Sequence, residues 1–299
     1  MIVDILLTGA NGQLGWEVSR RAAAAEGLSV HATTRAELDI TDREVVLRYV
    51  NQLKPKVVVN AAAYTAVDKA ESDAESAYAV NCDGASYLAE VCVSLGLPLI
   101  HISTDYVFDG TKTEAYTEKD SVAPLSIYGA SKLAGEDAVR KLCPHHVILR
   151  TSWVYGVHGH NFVKTMLRSG SEREVVHVVD DQYGSPTFAG DLADTVLMIA
   201  NRNIRGTVPV AGFGTFHCAG HGRTTWCGLA RKVFELSKPC LSRIPKVDAI
   251  PTVAYQGSAK RPGNSVLNCR HLARVFGIQL RSWDEALPEM LNETLNLNK

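Results

Sequence analysis

The chain has 299 residues, with 31 Lys and Arg against 32 Asp and Glu and a formal net charge of −1. That balance gives no broad positive field for nucleic acid or an anionic membrane surface, and no apolar run is long enough to span a bilayer. The length suits one dominant domain with a smaller lobe. Seven cysteines, odd in number and without a repeating spacing, argue against a disulfide framework and for a reducing compartment, the cytoplasm. The opening MIVDILL is too short for a secretory core and runs into a glycine turn, so a soluble protein is expected.

Taken in chain order, Ile2–Thr8 reads as a short buried strand and 13–26 as an alanine-rich helix. Leu28–Thr33 predicts a second strand, and Thr41 with Glu44 forms a T-x-x-E capping pattern for a helix over 42–53. Lys56–Ala63 supplies a third strand, followed by a helical stretch over 74–95 with a break near Asp83-Gly84. Leu97–Phe108 and His146–Tyr155 add two strands around the helix that carries SIYGASKLAGE. This alternation predicts an α/β fold, a Rossmann-type doubly wound parallel sheet with a smaller C-terminal substrate lobe. Past Gly156, glycines and prolines cluster at 206–222 and 239–263, around a helix at Trp226–Ser237. The expected division is a dinucleotide-binding domain over 1–155 and a discontinuous lobe over 156–299. A segment near 205–235, with a strand near 208–218, is expected to return and complete the first domain.

Gly9, Gly12 and Gly15 are spaced G-x-x-G-x-x-G in the first strand-to-helix turn. There, backbone N–H groups at the helix start, with Gln13 and Leu14, suit a pyrophosphate. The spacing alone also fits a tight turn without ligand, but its position in the fold favours a dinucleotide. NAAAYT at 60–65 ends the third strand in small residues, which places Ala61, Ala62, Ala63, Tyr64 and Thr65 against a flat adenosine or ribose. NAD-selective folds often carry an acidic residue about 20 positions past the glycines. Here the second strand ends Thr33-Thr34-Arg35, whose hydroxyls and guanidinium suit a 2′-phosphate. The expectation is NADPH preferred with NADH possible, and Asp39 and Ile40 on the adenine side.

Tyr128 and Lys132 stand four residues apart, and on a helix such residues share a face. A phenol with a pKa of about 10 exchanges protons poorly at neutral pH, and a nearby cation lowers that value. Thr104, at the end of a strand, offers a hydroxyl to complete a polar grip on a reacting carbonyl oxygen. Carbonyl or alcohol redox chemistry is the natural use of this trio.

The segments LLTGANGQLG, NAAAYTAVDKAE, HISTDYVFDG, PLSIYGASKLAGE, ILRTSWVYG, DDQYGSPT and RPGNSVLN follow one another as in the extended short-chain dehydrogenases/reductases. Within that superfamily the chain most resembles reductases of dTDP-linked 4-keto-6-deoxy sugars. The resemblance implies that Tyr128 protonates the sugar C4 oxygen, that Lys132 holds the nicotinamide ribose and tunes Tyr128, and that Thr104 bonds the same oxygen. It further implies that Asp105 and Trp153 contact the deoxysugar ring, and that Gln182 and Arg261 lie in the lobe covering the nucleotide-sugar. A guanidinium such as that of Arg261 suits a diphosphate.

Other 4-ketoreductases and epimerases of the superfamily share the glycine turn and the Tyr-x-x-x-Lys pair, and a related regulatory subunit keeps it without catalysis. Trp153 discriminates against a pure scaffold, in which a sugar-stacking tryptophan has no purpose. Asp105-Tyr106 follows Thr104 where dehydratases carry an Asp-Glu pair. His217, Cys218, His221 and Cys227 match no common zinc spacing. Glu17, Asp191 and Asp194 suggest an ion site at a subunit contact in some relatives, but Gly190 stands where a further carboxylate is wanted, so no metal is expected. A monomer or homodimer remains open.

Overall fold

Strands covered on both faces need continuous apolar runs rather than alternating ones. ILLT at Ile5–Thr8 and VVVN at Val57–Asn60 are such runs, buried throughout. In the computed structural model, which describes residues 3–24, 27–241 and 243–295, these two strands lie side by side in the interior of a six-stranded parallel sheet. Val30–Thr33 flanks Ile5–Thr8 on one side. Leu99–Thr104, His146–Thr151 and Gly214–His217 follow Val57–Asn60 on the other. Ile2, Ala25 and Glu26, which the sequence reading assigned to the first strand and helix, lie outside the described residues.

Alternate side chains of each strand enter two separate cores. Ile5, Leu7, Val57 and Val59 pack beneath the helices Gln13–Ala24 and Ala189–Ile204. Leu6 and Val58 face the helices Arg43–Leu53, Gly84–Leu95 and Ile127–Leu142. The result is the expected three-layer, doubly wound arrangement. Its switch point lies between Ile5–Thr8 and Val57–Asn60, where the succeeding chain departs to opposite faces and ligands bind at the strand carboxyl ends.

Two local expectations are corrected. The helix Arg43–Leu53 is capped by Asp42, whose carboxylate accepts from the Val45 N–H at 3.0 Å. The Thr41 hydroxyl makes no cap and instead donates to Asp39 at 2.7 Å. The break near Asp83-Gly84 is a π-helical turn over Ala79–Asp83 that joins Ala74–Tyr78 to Gly84–Leu95 without interruption. Such turns often mark functional sites. This one presents Asn81, which accepts from the Tyr64 N–H at 2.9 Å and donates to Ser131 at 3.0 Å, tying the loop after the third strand to the helix of Tyr128.

The expected returning strand is Gly214–His217, paired parallel with His146–Thr151. The return begins earlier than 205–235, because the apolar run in Ala189–Ile204 already covers the sheet. Trp226–Ser237 instead joins a separate core with Phe162–Glu172, Trp283–Thr294 and the parallel strand pair Val175–Val179 and Lys246–Ile250. No helix among the described residues is long and apolar enough to cross a membrane, and all seven cysteines are free.

Candidate active site

A cleft of about 810 Å³ runs across the carboxyl ends of the strands and contains both the glycine turn and the Tyr-x-x-x-Lys pair. That volume falls in the range of ordinary ligand sites. At one end, Gly9 adopts φ 80°, and a Cβ there would sit 2.6 Å from the Ala62 nitrogen, so only glycine lets the two loops of the switch point touch. Gly12 lines the cleft with Gln13 and Leu14, and a Cβ on it would meet nothing nearer than 3.4 Å. This leaves room for a phosphate to approach the backbone at the start of Gln13–Ala24, as the dinucleotide expectation requires. Gly15 does not line the cleft; a Cβ there would fall 2.1 Å from the Gly9 carbonyl, so it is a packing glycine.

Ala61, Ala62, Ala63, Tyr64 and Thr65 form the facing wall. Arg35, Asp39 and Ile40 close the end beyond the second strand. Arg35 is 79% exposed and its Nε donates to Asp39 at 3.0 Å. The hydroxyls expected beside it are engaged elsewhere. Thr33 is buried and donates to the Leu7 carbonyl at 3.1 Å, while the Thr34 N–H and hydroxyl both donate to Glu37 at 2.8 Å. Of that trio, Arg35 keeps the most freedom to reach a phosphate.

At the other end, Ser126 opens the helix Ile127–Leu142 by accepting from the Gly129 N–H at 3.2 Å, which places Tyr128 and Lys132 on the cleft wall. Lys132 is 2% exposed, and its ammonium donates to the Ile102 carbonyl at 2.6 Å. Burial lowers its pKa to about 8, opposed by the Glu136 carboxylate one turn along. Glu136 is itself buried, accepting two bonds from Arg150 at 2.9 and 2.7 Å and pairing with Arg140. Burial works to raise its pKa, but the arginines prevail and hold it low.

Tyr128 behaves differently from the sequence expectation of a phenol acidified by Lys132. Burial pushes it up to about 12, the Thr104 hydroxyl beside it works downward, and the Asp105 charge adds to the rise. Tyr128 therefore keeps its proton at neutral pH, which suits a donor. The one proton of the Thr104 hydroxyl is directed to Asp105, at 3.1 Å. Burial raises Asp105 to about 7, against the Ser265 and Thr104 hydroxyls beside it. Its second oxygen is sealed without a partner. Tyr106, missed in the sequence, lines the cleft edge-on to Tyr128 with ring centres 5.8 Å apart.

Trp153 lines the cleft with a backbone φ of 47°, a strained state costing on the order of 1–3 kcal/mol for a non-glycine residue. Its indole lies parallel to that of Trp226, centres 3.5 Å apart and 5° between planes. Trp226 also lines the cleft and was missed; an aromatic at the first position of an otherwise amphipathic helix was the available signal. Gln182 and Arg261 do not line it. Gln182 accepts from Trp226 Nε1 at 3.2 Å and donates to Thr252 at 3.1 Å. Arg261 is held by both oxygens of Asp68 at 3.1 and 2.5 Å and packs over the Tyr255 ring. Its guanidinium ties the 258–261 segment to the helix Val67–Ala70.

Among the described residues no group of three or more His, Cys, Asp and Glu is placed to hold a metal. Glu17 is neutralised by Arg20 at 2.8 Å and Arg21 at 3.3 Å, and a Cβ on Gly190 would collide with the Arg21 guanidinium. His217 is buried, with Nδ1 3.1 Å from the Tyr116 carbonyl, and burial lowers its pKa to about 3.

The chain matches the family described as RmlD substrate binding domain over residues 3–296. It is 42% identical to a dTDP-4-dehydrorhamnose reductase of Aggregatibacter actinomycetemcomitans, covering 95% of this chain and 96% of the other. It is 42% identical to that of Escherichia coli K12, with 97% and 98% covered. Among solved structures, a dTDP-4-dehydrorhamnose reductase from Bacillus anthracis in complex with NADP superposes with a TM-score of 0.90 at 37% identity, covering 98% of this chain and all of that one. One from Clostridium acetobutylicum gives 0.90 at 40% identity, covering 97% and 99%.

Proposed function

The chain belongs to the family of the dTDP-4-dehydrorhamnose reductases, and we propose that it reduces the C4 ketone of dTDP-4-dehydro-6-deoxy-L-mannose to give dTDP-L-rhamnose, with NADPH preferred and NADH possible. The observation that carries the reading is the joining, in one cleft, of the glycine turn to a tyrosine that keeps its proton beside a threonine hydroxyl.

The nicotinamide, when bound, supplies the hydride for the ketone carbon. Gly12, Gln13 and Leu14 would hold the pyrophosphate, the wall from Ala61 to Thr65 the adenosine side, and Arg35 the 2′-phosphate. Tyr128 donates its proton to the C4 oxygen as charge develops there, so no free alkoxide forms. An alkoxide is far more basic than a phenolate, so transfer is downhill even from a phenol raised to about 12. Thr104 supplies a hydroxyl at the same oxygen. Lys132 bonds the ribose and, as a cation, stabilises the phenolate left behind. Asp105 and Trp153 meet the sugar ring. The protein acts as a monomer or homodimer, in the cytoplasm.

Mixing the protein with NADPH and the dTDP-linked 4-keto sugar while following reduced-nicotinamide absorbance tests the proposal. Stoichiometric loss with formation of dTDP-L-rhamnose is expected. An epimerase would return its cofactor unchanged and a regulatory subunit would consume none, so absence of net oxidation refutes the reading.

A further inference from the structure

The strained φ of 47° at Trp153 needs something to hold it. Two chain pairings bring the means. Tyr183–Gly184 pairs antiparallel with Thr224–Thr225, and Thr187 donates its N–H to the Trp153 carbonyl at 3.2 Å. A Cβ on Gly184 would lie 2.3 Å from Trp153 Cε2 and 2.6 Å from both Cζ2 and Nε1. Those three distances place it above the ring plane rather than at the rim, so the Gly184 backbone rests on one face of the indole. Trp226, parallel at 3.5 Å, covers the other, since a ring that close and a backbone above the same atoms cannot share one face.

Trp226 is fixed in turn. It opens the helix Trp226–Ser237 directly after the cap Thr225, which accepts from the Gly228 N–H at 2.9 Å and donates to Asp180 at 2.5 Å. Its Nε1–H donates to Gln182, which Thr252 holds, and Phe162 packs on it with ring centres 4.7 Å apart. With both faces of Trp153 covered, face-on stacking of a sugar is not open to it in this arrangement.

Resting on the reductase reading above, we propose that Trp226 is a positioning residue of the sugar site. Anchored through Gln182, it presses Trp153 against Gly184 and turns the rim of the Trp153 indole, not its face, toward the sugar. Gln182 thereby acts through Trp226 rather than by touching substrate.

The experiment combines steady-state kinetics with near-ultraviolet circular dichroism, in which closely stacked indoles give a paired signal. Trp226→Ala is expected to raise KM for the dTDP-linked 4-keto sugar about tenfold, leaving kcat within about threefold and KM for NADPH unchanged, because a loosened wall weakens sugar binding in ground and transition state alike and leaves the cofactor end untouched. Trp226→Phe, which keeps a flat partner, is expected to restore most of the loss. The paired signal should be absent in Trp226→Phe and should persist in wild type saturated with dTDP-L-rhamnose without cofactor. An unchanged KM in Trp226→Ala would overturn the proposal. So would collapse of the wild-type signal on adding dTDP-L-rhamnose, which would mean that Trp226 swings away and frees the face of Trp153. A wild type unable to oxidise NADPH would refute the reductase reading itself, whereas an active wild type with an indifferent Trp226→Ala would refute only the positioning role.

Discussion

Replacing Asp105 with asparagine should stabilise the protein in a pH-dependent way. Asp105 is 2% exposed, one carboxylate oxygen has no partner, and burial raises its pKa from an ordinary carboxylate value to about 7. A group whose folded pKa is raised favours the native state fully only below its unfolded pKa of about 4, and that contribution is lost as pH climbs through about 7. A displacement of about three pH units at 1.36 kcal/mol each sets an upper bound of ~4 kcal/mol on what wild type gives up at about pH 8. Asparagine keeps the shape and carries no charge to desolvate. Thermal unfolding of both proteins between about pH 5 and pH 8 is the assay. The variant should melt several degrees above wild type at pH 8, by the usual ~2–4 °C per kcal/mol for large domains, and the gap should narrow steadily toward pH 5. A gap independent of pH, or a variant less stable at pH 8, would refute the idea that Asp105 is a desolvated carboxylate. A stabilised variant with impaired reduction would mean that the site trades stability for function.

Tyr128→Phe removes the proton donor and should lower kcat by about 10²–10⁴ while leaving NADPH binding intact; cofactor titration beside turnover checks both. With Lys132 lowered to about 8 and Tyr128 raised to about 12, the alkaline fall in kcat/KM should begin near pH 8 as Lys132 loses its charge, and a profile flat to pH 10 or so would contradict that assignment. Glu136→Gln strips the partner from buried Arg150 and should destabilise by about 3–5 kcal/mol, measurable by urea unfolding, while moving the alkaline fall to lower pH. Arg35→Ala should raise KM for NADPH about tenfold, some 1.4 kcal/mol, and leave KM for NADH unchanged; equal effects on both would remove Arg35 from the 2′-phosphate site.

The layered fold was legible because buried parallel strands write themselves as apolar runs and because Gly9, with its positive φ, punctuates the first of them. Trp226–Ser237 was placed to its end residues for a related reason: a capping threonine and an apolar stripe define it. The π turn could only read as a weak helix, since Asp83-Gly84 lowers local propensity while the packing of Asn81 against Gly135 decides the geometry. Tyr128, Lys132, Thr104 and Asp105 converge because their positions are set by backbone elements. Gln182 and Arg261 fall outside the cleft because long polar side chains are captured by neighbours that no linear pattern reveals, Trp226 with Thr252 in one case and Asp68 in the other. The acidity of Tyr128 was misjudged on the same grounds: proximity of Lys132 along the helix was visible, but the desolvation that outweighs it is a property of the assembled site.

Transfer of the label from NADPH carrying deuterium at the transferring nicotinamide position tests the central claim most directly. The account predicts dTDP-L-rhamnose with one deuterium at the sugar C4 and a proton from solvent on its oxygen, formed by wild type and nearly abolished in Tyr128→Phe. A product without deuterium at C4, or none formed by wild type, would contradict it.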